Sequence, residues 1–197
     1  MTMTRRKRMS LLTKEKRRKY FDYLGIGEYN KANILKFQLM AFSSKAEHDG
    51  RYGRKTDIAL RHWYNVEKHT KNFKPNEFKC PCGRCTGYPV QMKAKELKHI
   101  QAIRDHYGKP MTITSALRCE HQNNRVGGSK DSRHLEGRAV DFYMQGVTDT
   151  LQRRINAIAW ICKLPNHRYT YGNGCSSIAG YHPNTPNMGN ALHTDTK

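Results

Sequence analysis

His134 and Asp141 are separated by six residues in HLEGRAVD. An imidazole and a carboxylate are both metal ligands and both proton-transfer groups, and Gly137 between them allows the chain to turn tightly. The segment RAVDFYM, residues 138–144, alternates as a strand, with Val140, Phe142 and Met144 on one face and Asp141 on the other. A histidine ahead of a turn and an aspartate on the strand after it converge on one point. His193, in ALHTDT, closes the set from another strand. Two imidazoles and one carboxylate leave a tetrahedral zinc one open position for water, the donor set of a catalytic rather than a structural site. The competing reading is a surface histidine beside a strand aspartate, since a chain with ten histidines produces such pairs by chance.

A second group of ligand types lies upstream. Of six cysteines, Cys80, Cys82 and Cys85 fall within CPCGRC, tighter than the usual C-x-x-C ribbon spacing. Together with Cys119 they are open to three readings: a second, structural metal site, disulfides formed in an oxidising space, or thiols kept free by a reducing cytoplasm.

The elements that must position these residues fit in a chain of 197 residues, enough for one ordinary domain or two small ones. Mean hydropathy is low, at −0.89. The 36 Lys and Arg against 16 Asp and Glu leave a net charge of +20, a field that draws the protein to polyanions: nucleic acid, anionic lipid or an acidic cell wall. No run of about 18 apolar residues is present, so no membrane insertion is expected. The N-terminus is basic but lacks the apolar stretch of about 7–15 residues of a signal peptide. The expectation is synthesis in a cytoplasm without an export signal of its own, with residues 1–19 as a solvated basic arm.

Residues 20–68 hold a helical pattern. Ile34, Phe37 and Ala41 define one short amphipathic helix, and Ala59, Trp63 and Val66 share a face of a second. Between them DGRYG, residues 49–53, reads as a turn. Residues 69–76 read as a linker closed by Pro75. In residues 77–197, Leu97, Ile100, Ile103 and Tyr107 mark a helix that Gly108 and Pro110 end. Residues 112–114 form a strand leading to Arg118. Leu151, Ile155, Ile158 and Cys162 line a further helix capped near Thr148 or Asp149, and short strands and loops run on to His193. The fold class is α+β: helices on one side of a small antiparallel sheet, preceded by a small three-helix unit.

Around His134 and Asp141, SALR at 115–118, VGG at 126–128, then Ser132, His134, Gly137, Ala139, Asp141 and the late HTD at 193–195 resemble the zinc D-Ala-D-Ala carboxypeptidases and their endopeptidase relatives. These share a fold and metal site with the hedgehog signalling domain, and the likeness spans roughly residues 73–197. The resemblance implies Zn2+ held by His134, Asp141 and His193, with Arg118 contacting the substrate carbonyl and oxyanion. Ser132 is then a hydrogen-bond donor behind a ligand, or a turn residue. Relatives place a general base two or three residues before the last ligand. Here those positions are Ala191 and Asn190, so Asp195 becomes the candidate base, or alternatively a partner of a ligand histidine, with His182 behind it.

LKFQ at 35–38 and DGRYGRKTDIAL at 49–60 likewise resemble the three-helix peptidoglycan-binding domain. A small DNA-binding helical module is the alternative. Wall binding joined to wall cleavage without an export signal resembles a phage endolysin. The resemblance therefore implies a monomeric zinc peptidase acting on bacterial peptidoglycan at the periplasm or cell surface. Nucleic acid is the disfavoured partner, and a non-catalytic zinc-containing wall- or nucleic-acid-binding protein is the alternative. Which stem-peptide bond is cut is left open.

Overall fold

The computed structural model describes residues 10–197. Helix α1 (Lys14–Tyr23) begins on Thr13, whose side chain accepts a hydrogen bond from Lys16 N–H. It takes in residues 14–19 of the expected basic arm, which are helical and largely solvent-exposed; residues 1–9 of that arm lie outside the described residues. Charge hides the helix in the sequence, because Phe21 is its only buried side chain. Aromatic contacts hold it instead: Tyr20 stacks on Tyr64 with centroids 3.7 Å apart, and the Arg17 guanidinium lies 4.0 Å from the Tyr52 centroid.

Helix α2 (Lys31–Ala41) turns Ile34, Phe37 and Ala41 inward. Its buried Gln38 organises the following turn. The Gln38 amide donates to Asp49 Oδ1 and Arg51 O and accepts from the N–H groups of Asp49 and Gly50. The LKFQ and DGRYG segments are thus one hydrogen-bonded structure. Helix α3 (Arg54–His69) buries Asp57, which accepts from Leu12 N–H (2.7 Å), the Tyr52 hydroxyl (2.8 Å) and Arg61 Nε (2.7 Å).

The segment read as a linker is packed. Phe73 and Pro75 are buried, and the N–H groups of Lys71 and Asn72 both reach Gln101 Oε1. A 3-10 turn, Pro75–Phe78, follows. His62 joins the helical unit to what comes next: Nε2–H donates to Pro75 O at 2.9 Å, and Nδ1 accepts from Met92 N–H at 3.3 Å. Asn65 Nδ2 donates to Met92 O and Trp63 Nε1 to the Tyr88 hydroxyl. One hydrophobic core runs through both regions.

This His62 geometry needs a neutral ring, because protonation would turn the Nδ1 acceptor into a second donor facing Met92 N–H. Burial accordingly depresses its pKa from 6.5 to about 4. A depressed folded pKa means that the unfolded chain takes the proton first, so stability is complete above pH 6.5 and is lost as pH falls toward 4. The loss from this residue should approach about 3 kcal/mol. The check is the urea midpoint against pH: His62→Gln should flatten its slope over this window, and an unchanged slope would exclude His62 as the source.

Helix α4 (Ala94–Tyr107) buries Leu97, Ile100 and Ile103 and ends on Gly108 in the left-handed region. Strand β1 (Thr112–Ser115), helix α5 (Glu120–Arg125) and strand β2 (Ala139–Tyr143) follow. Helix α6 (Leu151–Ile161) is capped by Thr150, one residue past Asp149, because the Thr148 hydroxyl is taken up with Met144 N–H. Its buried face carries Arg154, Ala157, Ile158 and Ile161, while Leu151 and Ile155, expected inside, are exposed. Arg154 displaces them because its guanidinium satisfies the loop acceptors Thr148 O, Asn173 O and Asn190 Oδ1.

Strands β3 (His167–Gly172), β4 (Cys175–Ser176) and β5 (Leu192–Thr196) complete an antiparallel sheet of order β1-β2-β5-β3-β4. In the register, Asp141 faces His193, and His193 faces Tyr171. Alternation therefore sends Asp141, His193, Asp195 and Tyr171 to one face and Val140, Phe142, Leu192 and Thr194 to the other. Helices α4 and α6 cover the second face: His99 of α4 bonds the Thr194 hydroxyl, and Arg154 of α6 lies against Gly172. The helices thus leave the first face open for a site.

Candidate metal centre and its cleft

The 3-10 turn Arg133–Glu136 presents His134, and strand pairing presents Asp141 and His193 beside it. One ligand atom from each lies within 4.8 Å of the other two. His134 Nε2 is 3.2 Å from Asp141 Oδ1 and 3.3 Å from His193 Nδ1, and His193 Nδ1 is 2.7 Å from Asp141 Oδ1. Nitrogen and oxygen ligands around a tetrahedral zinc are separated by about 3.3 Å, given metal–ligand bonds of about 2.0–2.1 Å.

Proton positions make the same point. His134 Nδ1 is 2.6 Å from Ala116 O, a pure acceptor, so that nitrogen carries the proton and Nε2 presents a lone pair. His193 Nε2 is 3.3 Å from Asp195 Oδ2, so Nε2–H donates there and Nδ1 also presents a lone pair. Two nitrogen lone pairs and an anionic oxygen then converge on one point in a buried space. A divalent cation at that point satisfies all three.

The local field keeps Asp141 ionised. Burial opposes its charge, but without a metal the charge on a protonated His134, and hydrogen bonds donated by either imidazole when the nitrogen facing Asp141 carries a proton, outweigh burial and hold the carboxyl well below the usual carboxylate range. Burial lowers the His134 pKa. Burial also opposes protonation of His193, yet hydrogen bonds to Asp141 and Asp195 raise its pKa.

Arg118 stands over this group. Its Nη2 donates to Asp141 Oδ2 at 2.5 Å and its Nε to Ser115 Oγ at 2.9 Å. Among the described residues no hydrogen bond uses its Nη1. Asp195 meets His193 and Arg168. It is fully buried on the Nε2 side of the His193 ring, away from Asp141, and is clamped by Arg168, whose Nε is 2.7 Å from Oδ1 and whose Nη2 bonds Oδ2. Ser132 precedes the 3-10 turn, and its side chain makes no capping hydrogen bond; its carbonyl accepts from Leu135 N–H. His182 is exposed, with Nδ1 3.2 Å from Gly174 O, and does not line the cleft.

Three residues near the centre escape a sequence reading centred on ligands. Ser115, which orients Arg118, is carried by the S-x-x-R spacing. Arg168 leaves no local signal, since it meets Asp195 only across β3 and β5. Tyr171 packs on His193 with centroids 4.7 Å apart, and burial together with the Asp141 charge pushes its hydroxyl up to about 12.

Of the three ligands Asp141 reaches a cleft of about 860 Å³, whose lining also includes Arg118, Arg125, Gly127, Gly128 and Tyr171, while His134 and His193 lie buried behind it. Among these lining residues Asp141 is the only carboxylate. Gly137 fixes the approach of His134 to the sheet. Its φ is +70°, and a Cβ there would fall 2.2 Å from Gln91 O. Gly137→Ala should therefore cost at least about 1–3 kcal/mol, with the backbone forced to shift as well. Thermal denaturation should show a lowered midpoint and metal analysis a reduced zinc content.

The sulfur ligands gather separately: Cys80, Cys82, Cys85 and Cys119 each offer Sγ within 4.8 Å of the others. All six cysteines are free thiols in the structure. No helix among the described residues is long and apolar enough to cross a membrane.

Residues 71–165 match the model of the family described as Peptidase M15. The matched span contains Arg118, His134, Asp141 and the four clustered cysteines and stops before His193. No curated protein matches the chain.

Proposed function

We propose, with the Peptidase M15 match supporting a zinc metallopeptidase as the premise, that the chain is a zinc-dependent peptidoglycan peptidase, hydrolysing an amide of the stem peptide or cross-link in the manner of an endolysin. The observation that carries this reading is the convergence of the His134, Asp141 and His193 donor atoms where Asp141, paired with Arg118, lines an open cleft. Zinc held there supplies Lewis acidity and an activated water at neutral pH.

The chain's own groups do the remainder. Ser115 and Asp141 hold the Arg118 guanidinium in one orientation, leaving Nη1 for the carbonyl oxygen as negative charge develops on it. Tyr171, protonated at neutral pH, is a hydrogen-bond donor on the same wall. Asp195, locked by Arg168, holds His193 in the tautomer that leaves Nδ1 free to ligate. It is a positioning residue in this scheme. Hydrolysis adds water across the amide, giving one new carboxylate and one new amine.

Arg125 and the backbone of Gly127 and Gly128 form one side of the cleft, which suits an extended peptide bearing a carboxylate. The +20 charge suits an anionic wall, and the helical region around α2 and α3 is proposed to hold the enzyme on it. The test is incubation of the full chain with purified muropeptides, with and without a chelator, and identification of products by mass spectrometry. A new chelator-sensitive amine terminus in the stem peptide is expected. Unchanged muropeptides with zinc-loaded protein would reject the reading.

A further inference from the structure

Residues 79–93, between the 3-10 turn and α4, contain no helix or strand, yet Cys80, Gly87, Tyr88 and Met92 within them are buried. We propose that this segment is held by a second metal site, a zinc tetrathiolate formed by Cys80, Cys82, Cys85 and Cys119, which pins it to the corner next to Arg118.

The sulfur geometry carries the assignment. Cys80 and Cys119 are 3.8 Å apart, Cys82 and Cys119 3.6 Å, and Cys82 and Cys85 3.4 Å. Zinc–sulfur bonds of about 2.3 Å in a tetrahedron place sulfurs about 3.8 Å from one another. Disulfides would join the sulfurs in two separate pairs at about 2.05 Å. Here Cys82 stands near both Cys85 and Cys119, and Cys119 near both Cys80 and Cys82, so the four form one cluster.

An independent observation concerns charge. Each sulfur receives one backbone N–H: Cys80 from Cys119, Cys82 from Arg84, Cys85 from Gly87 and Cys119 from Gln122, at 3.3–3.5 Å. Gly83, at φ +68°, lets the chain double back so that Arg84 N–H points at Cys82. A peptide N–H on each of four sulfurs is the arrangement that stabilises thiolates, whereas neutral thiols are weak acceptors. Four ligands leave no open position, so this ion is structural. Cys162 and Cys175 stand outside the cluster and are not ligands.

The fourth ligand gives the site a reach beyond its own loop. Cys119 directly follows Arg118, whose N–H donates to His134 O at 3.3 Å. The metal thus ties residues 80–87 to the corner from which the guanidinium projects.

The test uses the reduced, metal-stripped full chain titrated with Co2+. Thiolate-to-cobalt charge-transfer absorption is expected to reach its plateau by two equivalents in the wild-type chain, whose His/Asp centre also takes cobalt, and at one equivalent in His134→Ala. It should persist in His134→Ala and vanish in Cys82→Ser. As isolated under reducing conditions, the wild-type chain should hold two zinc ions and His134→Ala one. Metal removal should speed amide exchange across 80–91 and leave α2 unchanged. Absence of the charge-transfer band in the wild-type chain would overturn the site whether or not any variant folds. Unchanged exchange across 80–91 would overturn the clamp. An inactive protein that still shows the band would count against the peptidase reading alone.

Discussion

His134→Ala should lose the metal at the His/Asp centre and, with it, muropeptide hydrolysis by about 10³-fold or more. The magnitude follows from the several kcal/mol of transition-state charge stabilisation that a Lewis-acidic ion supplies, each 1.36 kcal/mol being tenfold in rate. The substitution removes one of three protein donors and also the N–H that meets Ala116 O, so the remaining donors, Asp141 and His193, are left 2.7 Å apart as a simple ion pair or hydrogen bond. Far-ultraviolet circular dichroism should be nearly unchanged, because the residue lies in a short 3-10 turn, outside helices α1 to α6 and the sheet. Zinc content by atomic emission is the direct check. Retention of the His/Asp-site zinc in this variant would show the ligand assignment to be wrong.

Asp195→Asn should lower metal affinity at the centre by about 10–100-fold and leave the rate at saturating zinc close to that of the parent. The carboxylate touches His193 Nε2 and Arg168, not the cleft, so its loss acts through the ligand. An amide accepts a hydrogen bond less strongly than a carboxylate, the His193 ring becomes a poorer donor to metal, and Arg168 loses its ion-pair partner. The pH dependence discriminates further. His193 has a raised pKa, supported by Asp141 and Asp195, so a proton competes with metal as pH falls. In Asp195→Asn one of those supports is gone, and the competition should move to lower pH even as affinity at high pH weakens. A rate that stays depressed at saturating zinc would instead place Asp195 in the proton transfers of the reaction.

The Asp195 case shows where one-dimensional reading stops. Alternation along β5 places His193 and Asp195 on one face, and nothing in ALHTDT distinguishes a base at the metal from a partner behind the histidine. Arg168, on another strand 27 residues away, binds the carboxylate beside His193 Nε2, the contact on which the proposed positioning role rests. The same limit explains α6: its apolar period favours Leu151 and Ile155 as core, but Arg154 is drawn inward by loop carbonyls that no periodicity encodes. Helix α1 is hidden for the opposite reason, since its stabilising contacts are aromatic and cation–π pairs made by residues that read as a solvated charge run.

Properties written in short-range pattern were legible without coordinates. These are the period-2 alternation of 138–144, the helices over Ile34–Ala41 and Leu97–Ile103, the Gly108 stop, the turn at Gly137 and the ligand chemistry of His, Asp and Cys. They depend on backbone sterics and side-chain identity within a few residues, which the sequence by itself determines. The tertiary structure decided how distant groups meet: it sets His193 against Asp141 across β2 and β5, chooses one cluster from the readings open to Cys80, Cys82 and Cys119, and brings Arg168 to Asp195, a contact that no local pattern signals. Those contacts join residues as much as 52 positions apart. Their free energy depends on distance and burial, which only the folded chain defines.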